Sequence, residues 1–264
     1  MLLTSVIIVL REVLEAALIV SVLLAIGRTL PVRVSWVGWA FGFGAIGALL
    51  YATNIATVSD WFNGVGQEVV NALLQIAIYI FLMLFIMRVR VDRDEGRGGD
   101  KLVSWLMIVS VSLAITREGS ELLVYFSGFA SDLDLFTPVL IGGVVGASIG
   151  ISLGALTYYL LLNINRAWTP HIGTVVIALV GAGLASQAAL LLIQADWLPS
   201  QTPLWDSSNW LPETSVTGQL LYALIGYEAT PTPLQGAIYF VALLAPIALI
   251  KLLNKAGRRF LPSS

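Results

Sequence analysis

Two short motifs hold the side chains of this sequence best suited to chemistry. Arg11-Glu12-Val13-Leu14-Glu15 and Arg117-Glu118-Gly119-Ser120-Glu121 each sit inside a long apolar run, 2–27 and 102–129. An ionisable residue at the centre of a membrane helix costs roughly 2.5–3.5 kcal/mol even on lenient insertion scales, and such residues usually mark ion pathways. Residues three apart are neighbours on a helix, so Glu12 and Glu15 share one face, as do Glu118 and Glu121. Two such helices placed together offer four carboxylates. Arg11 and Arg117 each precede the second glutamate of their motif by four residues, the spacing of an intrahelical ion pair. They serve as counter-charge or gate, or as pure structure. The six groups leave a formal charge of −2, which a cation completes. Oxygen donors without Cys or His suit hard ions such as ferric iron, calcium, magnesium and manganese better than copper(I) or zinc. A divalent ion closes the balance; a trivalent one leaves +1 unless other acids join.

A third polar feature begins the run at 69–88. Glu68, Asn71 and Gln75 fall at helical spacing and form a candidate entrance; the plainer alternative is a cap followed by two packed amides.

The elements that must position these groups follow from composition. The chain has 264 residues, 58% of them hydrophobic and 11% charged, and its mean hydropathy is +0.88. Soluble domains carry about 25% charged residues, so this is a polytopic membrane protein. The longest stretch between apolar runs is 196–233, which leaves no room for a separate soluble domain. Without cysteine there are no disulfides and no thiolate ligands, and the one histidine, His171, lies beside Pro170 at the start of a run. The first run begins at once, with no basic leader, and reads as a retained helix.

Seven runs appear, at about 2–27, 35–55, 69–88, 102–129, 136–163, 171–195 and 234–253. Basic residues outside the motifs fall on alternate loops: Arg28 and Arg33; Arg88, Arg90, Arg93, Arg97 and Lys101; Arg166; then Lys251, Lys255, Arg258 and Arg259. Those loops are cytoplasmic by the positive-inside rule. The opposite loops hold Asp60, Asp132, Asp134, Asp196, Asp206, Glu213 and Glu228 without Lys or Arg. The expected fold is an all-α membrane protein of seven transmembrane helices, N-terminus outside and C-terminus cytoplasmic.

The chain also repeats itself. A shift of 106 residues lays Arg11-Glu12-x-x-Glu15 on Arg117-Glu118-x-x-Glu121, Ser21 on Ser127, and 69–73 on 175–179. A shift of 107 lays 47–51 on 154–158. Ordered matches at a nearly constant offset indicate an inverted three-plus-three helix repeat (about 1–95 and 101–195), followed by an outer loop with a short helix (196–233) and a C-terminal seventh helix (234–253), all within one permease domain, 1–264. In such repeats the site lies near the midplane at the repeat interface. At 1.5 Å per residue both motifs lie roughly 12–20 Å below the outer surface, on antiparallel helices. The glycines of the second and fifth runs read as helix-packing positions. Trp36, Trp61, Trp105, Trp168 and Trp197 read as an interfacial belt, and the apolar segment 216–227, too short to span, as a re-entrant or interfacial helix.

The doubled Arg-Glu-x-x-Glu motif in the first and fourth runs of such a chain resembles the oxidase-dependent high-affinity iron permeases of fungi and bacteria. The resemblance covers nearly the whole chain and includes the segment 10–20, Arg117-Glu118-Gly119-Ser120-Glu121, and Gly226-Tyr227-Glu228 followed by Pro231. It implies import of ferric iron through Glu12, Glu15, Glu118 and Glu121. It also implies a separate extracytoplasmic ferroxidase or iron-binding protein that supplies the ion. Departures are Val13 in place of glycine, Ser120 in place of leucine, and Asn71 where bacterial relatives often carry an acid.

The reading is therefore an iron permease of the cell membrane, not an enzyme. Iron is its substrate, membrane lipid its surroundings, and no permanently bound cofactor or nucleic acid is expected; a homo-oligomer is left open. Three rivals remain. One is a transporter of another divalent cation, such as manganese or lead. Another is a membrane di-iron oxidase, disfavoured because no Glu-x-x-His pair exists. The last is a structural or sensor subunit held by Arg–Glu bridges.

Overall fold

The computed structural model describes residues 1–94, 101–164 and 168–260, which are helical and contain no strand. The helices are α1 (Leu2–Gly27), α2 (Trp36–Thr53), α3 (Ile55–Ser59), α4 (Gly66–Asp94), α5 (Lys101–Ser127), α6 (Leu133–Asn163), α7 (Thr169–Gln194), α8 (Val216–Ile225) and α9 (Pro233–Phe260), with one 3-10 turn at Trp61–Asn63. Six of them, α2, α4, α5, α6, α7 and α9, contain stretches long and apolar enough to cross a membrane. The chain is a multi-pass membrane protein. α1 is equally long at 26 residues and differs from the six in the charge of its first motif, whose Glu12 and Glu15 are buried inside the protein.

α1 and α5 cross at the centre. α6 lies along α1 and α2 along α5, so the second helix of each half packs on the first helix of the other. α4 and α7 pack on one another beside this pair, and α9 covers α7. Glycine makes the two long seams. A Cβ on Gly146 of α6 would lie 2.5 Å from the Val6 carbonyl oxygen and 2.9 Å from the Leu10 amide nitrogen of α1. On the other seam a Cβ on Gly44 would lie 2.6 Å from Cβ of Ile115 on α5. These glycines are packing positions, as expected. Gly38 and Gly42 differ: nothing stands within 4 Å of where their Cβ would be.

The main apolar core occupies one end of the bundle. Leu23 and Ile26 of α1, Phe85 and Ile86 of α4, Met107 and Val111 of α5, and Ile177 of α7 meet there. Trp36 belongs to this core at 3% exposure. It is therefore no interfacial residue: the first turn of α2 is pressed against the bundle. Trp61, Trp105, Trp168 and Trp197 are exposed as expected. Of the basic residues used to orient the chain, Arg97 and Arg166 lie outside the described residues, as do the side chains of Arg93, Lys255, Arg258 and Arg259.

α8 does not lie on the surface. Ser215 caps its N-terminus by accepting from the Gly218 amide at 3.0 Å, and Leu220, Ala223 and Leu224 pack against Leu14 and Leu18 of α1. Those leucines are roughly 18–24 Å along α1 from Leu2 at 1.5 Å per residue, so α8 penetrates to the middle of the bundle. It stops at Gly226, whose φ of +67° only glycine adopts without strain. The same glycine lets its backbone press on Gly183 of α7, with no room for a side chain.

Candidate metal site

The crossing of α1 and α5 places both motifs at one point. Carboxylate oxygens of Glu12, Glu118 and Glu121 all lie within 4.8 Å of one another. Side-chain motion of an ångström or less closes such a triad on a divalent ion. Glu12 and Glu118 are 6% and 3% exposed, and one oxygen of each is buried without a hydrogen-bond partner. An unpartnered buried carboxylate oxygen is costly, and a cation supplies what it lacks.

Glu15 stands apart from the triad. Arg11 Nε donates to its Oε1 at 3.3 Å, and Arg117 Nη1 to its Oε2 at 3.2 Å. Arg117 is 3% exposed; it also pairs with Glu118 and reaches Glu121 at 3.5 Å. Both arginines thus make the intrahelical pairs that their spacing predicts. Arg117 adds one that spacing on a single helix does not contain, the bridge to Glu15 across the helix crossing. Arg11 has a second anchor, Tyr222 of α8, whose hydroxyl accepts from Nη2 at 2.5 Å.

Two of the triad, Glu12 and Glu121, form the floor of a polar cavity of about 550 Å³. Glu12, Glu121, Arg11 and Arg117 lie in its wall together with Asn71, Gln75, Gln187, Gln194, Tyr51, Glu213 and Glu228. Asn71 Nδ2 approaches Glu121 Oε1 at 3.5 Å, and Gln75 donates to Gln187 at 2.8 Å. Asn71 Oδ1, Gln75 Oε1 and the Tyr51 hydroxyl are buried without partners, so the wall offers neutral oxygens. Glu68 is half-buried, outside that wall and near Tyr51. Glu12 and Glu118 also line a second cavity of about 480 Å³, whose other walls are largely apolar and include Val13, Ala17, Ile115 and Tyr158.

The two departures inside the motifs are both accommodated. Val13 packs on Gly150 of α6, away from the polar cavity, and Ser120 folds its hydroxyl onto the Arg117 carbonyl at 2.7 Å. Glu213, Gln187, Gln194, Tyr51 and Tyr222 were not legible as site residues. The outer acids gave a faint signal, and Gly226-Tyr227-Glu228 a stronger one. Gln187 and Tyr222 gave none, because an isolated amide or phenol in an apolar run has no periodic partner.

Above the floor, Glu213 and Glu228, which flank α8, come close to each other. Glu213 Oε1 accepts from the Ala229 amide at 2.5 Å, and Glu228 Oε2 from Gln235 Nε2 at 2.5 Å. Burial, and the neighbouring Glu213 carboxylate, push Glu228 up to about 7, while its hydrogen bond from Gln235 opposes them.

Membrane-length helices around a cluster of carboxylates beside a polar cavity define a class: a multi-pass membrane protein with acidic groups held between its helices. Residues 2–254 match the Iron permease FTR1 family, and the chain belongs to that family. It is 29% identical over 276 residues to "Ferrous iron permease EfeU" of Escherichia coli O6:H1, covering 95% of each chain. The protein of the same name from Shigella sonnei is 28% identical over 277 residues, again covering 95% of each. That from Yersinia pestis is 27% identical over 260 residues, covering 90% of this chain and 89% of the relative. No solved structure matches the chain.

Proposed function

We propose that this protein imports iron, which binds Glu12, Glu118 and Glu121, with Glu15 and the two arginines fixing the charge around the site. The observation that carries this reading is the carboxylate triad on two crossing helices, with unpartnered oxygens on Glu12 and Glu118 and a polar cavity against Glu12 and Glu121. α1 acts as a seventh span, with the N-terminus and the cavity mouth outside and the C-terminus cytoplasmic. The exchange of second helices, α6 onto α1 and α2 onto α5, supports the inverted repeat. With the polar cavity on one side of the triad and the main apolar core filling one end of the bundle, the arrangement fits an outward-open state. Rocking of the repeats then opens the inner side. A separate extracytoplasmic protein delivers the ion, and the resemblance to oxidase-dependent permeases is the argument for a ferric ion.

A ferrous substrate is favoured by one observation: the four glutamates and two arginines leave −2, which a divalent ion neutralises. The names of the relatives agree with it. Purified protein in liposomes tests both valences. Uptake of Fe²⁺ under reductant or of Fe³⁺ with a soluble chelator, exceeding that of Mn²⁺ and absent from empty liposomes, is the expected result. Equal uptake of all three, or none, overturns the iron reading.

Acid is expected to slow loading. Glu228 has its pKa raised to about 7, so it is charged above that pH and neutral below it. Falling pH removes a negative charge from the cavity mouth and lowers the local cation concentration. The apparent KM for iron should rise as pH falls from about 8 to about 6, and Glu228→Gln should flatten that rise. An unaltered pH profile in the variant would exclude the role of Glu228. By the same sign, whatever stability Glu228 protonation contributes is present at low pH and is lost as pH rises through about 7.

A further inference from the structure

The re-entrant helix α8 reaches the site through one side chain. Tyr222 places its hydroxyl 2.5 Å from Arg11 Nη2 and its ring centroid 4.0 Å from Arg11 Cζ, so it holds the guanidinium both as acceptor and as ring. Arg11 has competing acceptors on its own helix. Its Nε lies 3.3 Å from Glu15 Oε1 and 3.8 Å from Glu12 Oε1. The arginine side chain is 31% exposed, against 7% and 5% for these two glutamates, so it has room to move within the cavity. The difference between the two glutamates matters, because Glu12 belongs to the triad and Glu15 does not.

The geometry points to Tyr222 as a positioning residue that keeps Arg11 on Glu15 and off Glu12, leaving a Glu12 oxygen open to the ion. The inference rests on the triad as the cation site. An arginine freed from Tyr222 gains most by turning onto Glu12, the nearest carboxylate with an unpartnered oxygen. There it competes with the metal for the same lone pairs. Tyr222 does not touch the ion; it acts through Arg11. α8 is fixed for this task by its packing on Leu14 and Leu18 and by the Gly226–Gly183 contact, which set the height of Tyr222 along α1.

The test is anaerobic Fe²⁺ titration by calorimetry of the full chain in lipid nanodiscs. Tyr222→Phe keeps the ring and removes the hydroxyl; it should weaken Fe²⁺ affinity by about ten-fold, the low end for an outer-sphere partner, with unchanged stoichiometry. In an Arg11→Gln background the same substitution should change nothing, since the competitor is gone; such non-additivity is the signature of action through Arg11. Equal loss in both backgrounds, or no loss in the first, overturns the inference and leaves the triad standing. Wild-type protein that binds no Fe²⁺ overturns both. Should Tyr222→Phe fail to assemble, Tyr222→Trp, which keeps a ring and turns the acceptor into a donor, carries the same comparison.

Discussion

Glu118→Gln assembles in the membrane and transports iron at least about a hundred-fold more slowly than the wild-type protein. The substitution keeps volume and one acceptor oxygen but removes a charge from the triad. At an effective dielectric of about 20, one unit charge at 4 Å contributes about 4 kcal/mol; a divalent ion doubles that, and the desolvation of ion and ligand offsets part of it. About 3 kcal/mol lost from the bound state corresponds to a factor above one hundred. The fold tolerates the change because Arg117 retains Glu15 and Glu121. Glu12→Gln and Glu121→Gln should behave alike, as their oxygens complete the same triad. Glu15→Gln should differ: it loosens Arg11 and Arg117 and reduces the amount of folded protein along with transport. Iron uptake into liposomes, normalised to protein inserted, checks the series. Uptake within two-fold of wild type in any two triad variants would remove the site.

The second large effect is expected of Arg117→Met, and it falls on stability. Arg117 pairs with Glu15, Glu118 and Glu121 together, and it is 3% exposed. Removing one partner of a buried ion pair leaves charge uncompensated in low dielectric, at a cost of about 3–5 kcal/mol. For a chain of this size that corresponds to a fall in Tm of roughly 10 °C, or to failure to assemble. Adding Glu15→Gln to Arg117→Met removes one orphaned carboxylate and should recover part of the loss, a coupling that size-exclusion profiles and thermal unfolding in detergent both register. A Tm unchanged by Arg117→Met would mean that the arginine is not the counter-charge of this cluster.

The two expectations separate the rival readings. A structural subunit held together by Arg–Glu bridges predicts that the glutamate and arginine variants fail alike, by misfolding. A permease predicts that the triad glutamates fail in transport and Arg117 fails in folding. The difference follows from where each group points: Glu12 and Glu118 each keep one buried oxygen without a partner, whereas Arg117 pairs with three carboxylates.

Much of this protein was determined by the sequence alone. Helix periodicity put Glu12 with Glu15 and Glu118 with Glu121, and set each arginine one turn before its partner, because those are local relations fixed by 3.6 residues per turn. Composition placed the chain in a membrane, where only helices or closed barrels satisfy the backbone. Most glycines of the second and fifth runs, Gly38 and Gly42 excepted, were legible as seams, and the segment 216–227 as a helix too short to span.

Only tertiary structure decided which carboxylates meet. From spacing, the four glutamates are equivalent; the angle and depth at which α1 crosses α5 bring Glu12, Glu118 and Glu121 together and turn Glu15 between two arginines. Tyr222 meets Arg11 across 211 residues of chain, and Gln75 meets Gln187 across 112. Trp36, which resembles every other tryptophan near a run end, entered the core instead. Such pairings depend on rigid-body placement of whole helices, and that is the sum of many seam contacts. No single periodicity in the chain encodes it.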